Sequence, residues 1–107
     1  ATIVGTERVS ADVAAARLAS DSPPLLIDVR SAAERAQNRI EGSVHVPLNH
    51  LAERLQEIDP GRPVLVYCAG GYRSSIAASL LKRAGRPQVS ELAGGITAWD
   101  AGASHRP

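Results

Sequence analysis

The chain has 107 residues and lacks several residue types that other classes of protein depend on. It has one cysteine, which excludes an internal disulfide framework and favours a reducing compartment such as the cytoplasm. Methionine and phenylalanine are both absent, so Leu, Ile, Val and Ala must fill the core. Not even an initiator methionine is present, so the chain is expected to be either processed or a domain cut from a longer protein, and we favour the second.

Charge of one sign and long apolar runs are also scarce. The formal net charge is +1, which gives no reason to expect a nucleic acid or a membrane surface as partner. No apolar run is long enough to span a bilayer, and the N-terminus lacks the pattern of a signal peptide. No Cys or His cluster has the spacing of metal ligands, so we expect neither a metal nor another cofactor. The length suits one compact domain.

Short apolar runs alternate with helical patterns along the chain. Four of these runs are typical of buried strands, at residues 25–27, 44–46, 64–67 and 89–92. Strands this apolar, separated by helices, predict a mostly parallel α/β sheet that is covered on both faces. In such a sheet, ligands bind beyond the carboxyl ends of the strands.

Capping residues mark the start of most of the predicted helices. Helices are predicted after Ser10 (11–19), after Ser31, after Asn49 and over 74–84, followed by a helical turn at 96–99. Ser31 and Glu34 have the spacing of a capping box. The helix over 74–84 is predicted to bury Ile76 together with two leucines, and to end at Gly85.

The single cysteine, Cys68, directly follows the apolar run 64–67 and opens a glycine-rich loop. Gly70 and Gly71 let the backbone turn tightly, and a helix is predicted to begin near Ser74. Such a loop directs backbone N–H groups inward, so the thiol should ionise more readily than a free one. This interpretation requires a sulfur that solvent can reach. The alternative is a buried core cysteine, the commoner fate of a lone one.

Charged residues near the predicted strand ends complete the candidate site. Arg73 is predicted to hold an anionic group by paired hydrogen bonds and to lower the pKa of the thiol, or else to form a structural ion pair with Asp28. Tyr72 is expected on the outer rim of the loop. Asp28 is expected close to the thiol, or else caps a turn. Arg30 and Glu34, four residues apart, predict an ion pair.

The histidines His45 and His50 are not spaced to serve as a general base beside Cys68, and both are expected to be structural or to face solvent. Trp99 is expected to cover an edge of the sheet. The complete predicted site has Cys68 as nucleophile, the loop residues Ala69, Gly70, Gly71, Tyr72 and Arg73 for substrate binding, and Asp28, Arg30 and Ser74 behind them.

Several segments, in order, resemble the landmarks of the rhodanese (sulfurtransferase) domain: residues 26–30 with Glu34, 40–47, 67–74 and 92–99. The resemblance extends from about Val9 to Trp99. From the length, residues 1–107 are predicted to form a single domain, and residues 102–107 a flexible tail. The resemblance implies a three-layer α/β sandwich with a central parallel five-stranded sheet and an active loop that starts at Cys68.

The resemblance also implies a reaction. The thiolate takes a sulfane sulfur from a donor such as thiosulfate or glutathione persulfide, becomes a persulfide, and passes the sulfur to cyanide or a thiol. Only small-molecule donors and acceptors are expected as partners, unless the domain is fused to another protein of sulfur metabolism. The loop is similar to those of rhodanese modules at the end of persulfide dioxygenases.

The chain departs from the family pattern at positions away from the loop. Arg35 stands where the family usually has an aromatic residue, Asn38 and Arg39 where a Gly-His pair is common, and Ser43 where alanine is usual. These departures concern local packing and contacts to the donor.

Two other functions remain open at this stage. A related fold with a cysteine–loop–arginine pattern cleaves phosphate esters, but its loop has one residue more than the four between Cys68 and Arg73. A shorter loop makes a narrower cradle, which suits a sulfur atom better than a phosphate. The remaining alternative is a non-catalytic module for sulfur sensing or docking.

Overall fold

The computed structural model describes residues 6–103, which form a five-stranded parallel sheet. The strands are β1 (Glu7–Val9), β2 (Leu25–Asp28), β3 (Val44–His45), β4 (Val64–Tyr67) and β5 (Val89–Leu92), in the spatial order β1-β5-β4-β2-β3. This confirms the predicted α/β fold. The residues themselves predicted four strands and missed β1, because only Val9 of its three residues is buried and no apolar run marks it.

Four helices connect or follow the strands: α1 (Ala11–Leu18), α2 (Ala32–Gln37), α3 (Tyr72–Arg83) and α4 (Gly95–Ala101). Two of the three predicted N-caps are present, since the Ser10 hydroxyl accepts from Val13 N–H and Ser31 forms a complete capping box with Glu34. These local signals are reliable because they depend on neighbouring residues alone.

The helix predicted after Asn49 does not form as an α-helix. Two 3₁₀ segments, Leu48–His50 and Ala52–Glu57, replace it, and Arg54 inside the second leaves helical geometry with φ −110° and ψ 17°. Asn49 lies within the first segment and caps nothing. The apolar residues that predicted the helix are nevertheless in the core, because the irregular path of the backbone still buries Leu51 and Ile58.

Helix α3 begins earlier than predicted, at Tyr72 rather than near Ser74, because Gly71 adopts φ +109° and serves as its N-cap. Its buried face consists of Ser74, Ala77, Ala78 and Leu81. Ile76, predicted to be in the core, is 44% exposed. The small residues allow close packing on the sheet, and that orientation turns Ile76 toward solvent.

Two apolar clusters cover the two faces of the sheet. Alternate residues of β4 divide between them: Val64 and Val66 pack with α3, whereas Leu65 and Tyr67 pack on the side of α1 and α4. This alternation gives the three-layer arrangement that the resemblance implied. Cys68 continues the first cluster at the carboxyl end of β4.

Most of the predicted flexible tail lies outside the described residues, at 104–107. Gly102 still belongs to the last turn of α4, because its N–H donates to the carbonyl of Ala98 at 3.1 Å. None of the helices between residues 6 and 103 combines the length and apolarity needed to cross a bilayer.

Candidate active site

Cys68 lies where β4 ends and the loop to α3 begins, and hydrogen-bond donors surround its sulfur. Gly71 N–H donates to Sγ at 3.0 Å, and the Ser74 hydroxyl lies 3.5 Å from Sγ. Burial raises the pKa of the Cys68 thiol. Hydrogen bonds from the Ser74 hydroxyl and from the N–H groups of Ser74, Gly71 and Arg73 together lower that pKa by more than burial raises it. The net pKa is below that of an ordinary thiol, as the sequence predicted, so the site favours the nucleophilic thiolate.

The accessibility of Cys68 differs from the expectation. The residue is only 1% exposed, and the loop and the first turn of α3 close over it. Two residues of the loop face outward: Gly70 is exposed, and Tyr72 is 81% exposed, as predicted for the rim. A reagent must therefore displace part of the loop before it can touch the sulfur.

Helix α4 supports the loop from behind. Ile96 N–H donates to the carbonyl of Cys68 at 2.9 Å, and Thr97 N–H to that of Ala69 at 3.3 Å. At Gly95, where φ is +59°, a Cβ would lie 2.4 Å from the Cys68 carbonyl oxygen. Only glycine allows this close approach, which keeps the Cys68 and Ala69 carbonyls against the first turn of α4.

Behind the loop lies a polar cluster that the sequence did not predict. The hydroxyls of Ser74 and Ser75 each lie 3.2 Å from the Gly71 carbonyl, and Ser75 also donates to Glu91 Oε1 at 2.6 Å. Glu91 is 2% exposed and lies on β5, and the sequence signal for it was a carboxylate between the apolar ends of that strand, Val89 and Leu92. Its other partners are Thr6, at 2.9 Å, and Arg8, at 3.5 Å.

Arg73 forms an ion pair with Glu34. The alternative prediction, an ion pair of Arg73 with Asp28, is wrong. Arg73 Nη1 donates to Oε1 at 2.6 Å and Nη2 to Oε2 at 2.8 Å. The hydrogen bond from Arg73 holds the pKa of Glu34 at about 2. The capping box orients Glu34 toward Arg73, so a single carboxylate joins the first turns of α2 and α3.

The predicted ion pair of Arg30 with Glu34 is also wrong, because Arg30 binds Asp28. Arg30 donates from its backbone N–H and Nε to Asp28 Oδ1, both at 3.0 Å, and from Nη2 to Oδ2 at 2.9 Å. Burial raises the pKa of the Asp28 carboxyl, but the hydrogen bonds from Arg30 outweigh burial and lower it overall. Tyr67 completes the network, since its hydroxyl donates to Asp28 at 3.1 Å and its ring lies 5.5 Å from the Arg30 guanidinium.

Three of the four departures from the family pattern, Arg35, Asn38 and Ser43, meet in this same network. Arg35 donates to Asp28 at 3.1 Å, to the Ser43 hydroxyl at 2.9 Å and to the Ser43 carbonyl at 2.7 Å. Asn38 accepts from Arg30 through its side-chain and backbone oxygens, at 3.2 and 2.7 Å. The network holds β2 against the segment that leads into β3, and none of the hydrogen bonds just described involves the sulfur of Cys68.

A cavity of about 370 Å³ opens beside the loop. Its lining is Val29, Arg30, Ser31, Pro47, Leu48, Asn49 and Arg73. Arg73 brings positive charge to it, and Val29 belongs to the buried cluster that contains Cys68. The cavity is therefore an opening beside the loop that is lined by a residue predicted to bind substrate, Arg73.

The remaining candidates have structural contacts. His45 Nε2 lies 2.7 Å from the Arg30 carbonyl, and His50 lies 3.4 Å from Glu53 on the surface. Trp99 packs against the cluster on the α1 and α4 side. Across residues 6–103 no group of three His, Cys, Asp or Glu side chains converges as metal ligands would.

Comparison with known proteins agrees with this architecture. The model of the rhodanese-like domain family matches residues 10–102. A protein of Allochromatium vinosum named sulfurtransferase is 40% identical over 83 residues, which are 78% of each chain. The thiosulfate sulfurtransferase GlpE of Coxiella burnetii is 32% identical over 78% of this chain and 75% of its own. The solved rhodanese-like domain of Alr3790 from Anabaena superposes with a TM-score of 0.80 at 32% identity, over 91% of this chain and 75% of that one.

Proposed function

The chain belongs to the rhodanese-like domain family, and we propose on this basis that it is a sulfurtransferase that works through a persulfide on Cys68. The observation that carries the proposal is the set of N–H and hydroxyl donors around a single buried thiol. Donors held in place stabilise a thiolate, and they equally stabilise the terminal sulfur anion of a persulfide. A core cysteine with a purely structural role needs no such donors.

The proposed reaction has two displacement steps on sulfur. The Cys68 thiolate attacks the outer sulfur of thiosulfate, a new S–S bond forms at Sγ, and the old S–S bond breaks so that sulfite leaves with the electron pair. Cyanide or a thiol then attacks the terminal sulfur of the persulfide. The S–S bond to Sγ breaks, and Cys68 recovers its electron pair as thiolate.

Donor binding is proposed for the cavity beside Arg73. The guanidinium can grip a sulfonate-like or carboxylate group with two parallel hydrogen bonds, in place of those it now makes to Glu34. The relative named thiosulfate sulfurtransferase supports thiosulfate as a donor, and a persulfide such as glutathione persulfide is the other. An unpaired thiol persists best in a reducing compartment, so we place this activity in the cytoplasm.

The test compares the wild type with Cys68→Ser in thiosulfate–cyanide transfer and in intact-protein mass spectrometry after incubation with thiosulfate. Thiocyanate formation and a gain of one sulfur atom at Cys68 are expected for the wild type only, with the same circular dichroism spectrum for both proteins. Turnover of a phosphate ester without that gain would replace the proposal by phosphatase activity. If the folded protein shows neither activity with every donor at saturation, the remaining interpretation is a non-catalytic module.

A further inference from the structure

Helix α3 carries an exposed apolar patch that begins beside the active loop. Across residues 6–103, the large apolar side chains that are exposed are Val13, Val44, Tyr72 and Ile76. Val13 lies on α1 and Val44 on β3, whereas Tyr72 and Ile76 lie one turn apart on the same face of α3. Tyr72 is also the residue that follows Gly71, whose N–H binds the sulfur. The exposed pair on α3, the α3 patch, therefore adjoins the candidate active site.

A groove runs along α3 from the α3 patch. It has a volume of about 460 Å³, and its lining is Ser75, Ile76, Ser79, Leu80 and Arg83. Ile76 and Leu80 make part of this lining apolar, and none of the five residues is acidic. From Ser75 to Arg83 the helix rises about 12 Å. This length exceeds that of a thiosulfate ion and suits a segment of polypeptide.

The charge around the groove is positive. Arg83 lies at one end, is exposed, and has no carboxylate partner within residues 6–103. Arg8 lies at the other end, because its Nη2 donates to the Ser75 hydroxyl at 3.2 Å, and its side chain is 63% exposed. The carboxylate that pairs with Arg8 is that of Glu91, at 3.5 Å, and it is buried. A molecule that approaches the groove therefore meets two cations and no exposed carboxylate of the lining.

We propose that this groove docks an acidic amphipathic segment of a partner protein that exchanges sulfur with Cys68. The segment places carboxylates opposite Arg8 and Arg83, and packs apolar side chains between them against Ile76 and Leu80. On a partner helix, carboxylates about eight residues apart match the length of the groove. A second copy of this chain would bring like charges together, so charge disfavours it. The exchange rests on the proposed function, whereas docking requires no reaction.

The position of the α3 patch directs a docked partner toward the sulfur. A segment that continues from Ile76 over Tyr72 reaches the loop at Gly71. A thiolate of the partner then attacks the terminal sulfur of the Cys68 persulfide. A new S–S bond forms on the partner, the S–S bond to Sγ breaks, and Cys68 recovers the electron pair, as with a small thiol. Contact with Tyr72 also acts on the segment that covers the buried sulfur.

The first experiment measures docking without sulfur, by fluorescence anisotropy. The probe is a labelled, cysteine-free helical peptide with leucines between two glutamates eight residues apart, and the control peptide has lysines in place of the glutamates. Only the acidic peptide is expected to bind. Arg83→Glu should weaken binding about three- to tenfold, because it reverses one exposed charge. Ile76→Ser should weaken it about three- to fivefold through lost apolar burial.

The matched control for Arg83→Glu is Arg39→Glu. It makes the same charge change at an exposed residue between α2 and β3, and should leave the Kd of the acidic peptide unchanged. All variants are expected to keep the circular dichroism spectrum of the wild type, because the three side chains concerned are exposed.

The second experiment gives both peptides one cysteine and measures sulfur transfer from the persulfidated protein by mass spectrometry of the peptide. Transfer to the acidic peptide should be faster than transfer to the lysine peptide. Arg83→Glu and Ile76→Ser should reduce that advantage. Thiosulfate–cyanide transfer by both variants should stay at the wild-type rate, since neither residue belongs to the loop or to the cavity beside Arg73.

Several outcomes would overturn the proposal. Equal affinity for the two peptides, or unchanged affinity in both folded variants, would reject docking. Binding to phosphatidylserine vesicles but not to the acidic peptide would replace the partner protein by a membrane surface, and a wild-type dimer that Ile76→Ser dissociates would replace it by a second copy. Thiocyanate formation without peptide binding rejects docking alone. Peptide binding without a persulfide on Cys68 leaves the docking site and rejects the proposed function.

Discussion

Arg73 and Glu34 are joined end to end by two parallel hydrogen bonds, of 2.6 and 2.8 Å, across the mouth of the loop. Both side chains are about a third exposed, at 35% and 34%. The edge of the guanidinium that would grip an anionic donor is therefore already held by a carboxylate. A donor must compete with Glu34 for it, so the strength of this pair should set the affinity for anionic donors.

Glu34→Gln is expected to lower the KM for thiosulfate about two- to fivefold, since a partly exposed ion pair is worth about 0.2–1 kcal/mol. Glutamine retains an acceptor oxygen for the capping box with Ser31, so α2 should stay formed. Arg73→Ala should raise the same KM. Steady-state kinetics with thiosulfate measure both changes.

The matched control is Glu57→Gln, which removes one carboxylate from the surface pair with Arg54, away from the loop. It should leave the KM for thiosulfate unchanged. If Glu34→Gln raised the KM, or Arg73→Ala left it as in the wild type, Arg73 would have a structural role only.

The same pair makes stability depend on acidity. The pKa of Glu34 falls from 4.5 to about 2 on folding, chiefly through the hydrogen bond from Arg73. Its contribution is complete above pH 4.5 and is lost as the pH falls through about 2. Wild type should therefore lose up to about 1 kcal/mol of unfolding free energy more than Glu34→Gln between neutral pH and pH 2, a small amount because solvent screens the pair. Urea unfolding at both pH values measures it, and parallel losses in the two proteins would contradict it.

Gly95→Ala should displace the active loop. The new Cβ would lie 2.4 Å from the Cys68 carbonyl oxygen, at a residue with φ +59°. We expect a loss of about 2–4 kcal/mol in unfolding free energy, combining left-handed strain with overpacking. Gly85→Ala is the control, with φ +91° and open space around the Cβ, and should cost only the strain. Equal losses by urea denaturation would show that the close contact is not needed.

Arg35 and Ser43 should be energetically coupled, because Arg35 donates to both oxygens of Ser43. A double-mutant cycle of Arg35→Ala and Ser43→Ala is expected to give a coupling energy of about 0.5–1.5 kcal/mol in unfolding free energy. Additive losses would show that the two positions contribute independently. Sulfur transfer by the folded single variants should stay near that of the wild type, since neither residue contacts the loop.

Signals confined to neighbouring residues predicted the structure well. The capping box at Ser31, the apolar strand that leads into Cys68 and the turn at Gly71 each depend on a few adjacent side chains, and each is present. Strand β1 was missed because its three residues acquire strand geometry only by pairing with β5. The helix expected after Asn49 failed because its apolar spacing is satisfied equally by a 3₁₀ path.

The pairing of charges could not be predicted from spacing along the chain. Arg30 and Glu34 have the separation of a helical ion pair, but Arg30 precedes the N-cap of α2 and turns back to the buried carboxylate of Asp28. Glu34 is thereby left to Arg73, 39 residues away, and Glu91 to Ser75. These partners come together only through the order of strands in the sheet, which the local pattern does not contain.

The order β1-β5-β4-β2-β3 also bears on the synthesis of the chain. The first strand has the fifth as its ladder partner, so residues 7–9 must wait for residues 89–92 to leave the ribosome. Cys68 leaves the ribosome well before α4, the helix whose N–H groups bind the carbonyls of the loop. A nascent chain halted before residue 95 would thus present Cys68 to solvent without its backing and leave the thiol open to oxidation or alkylation.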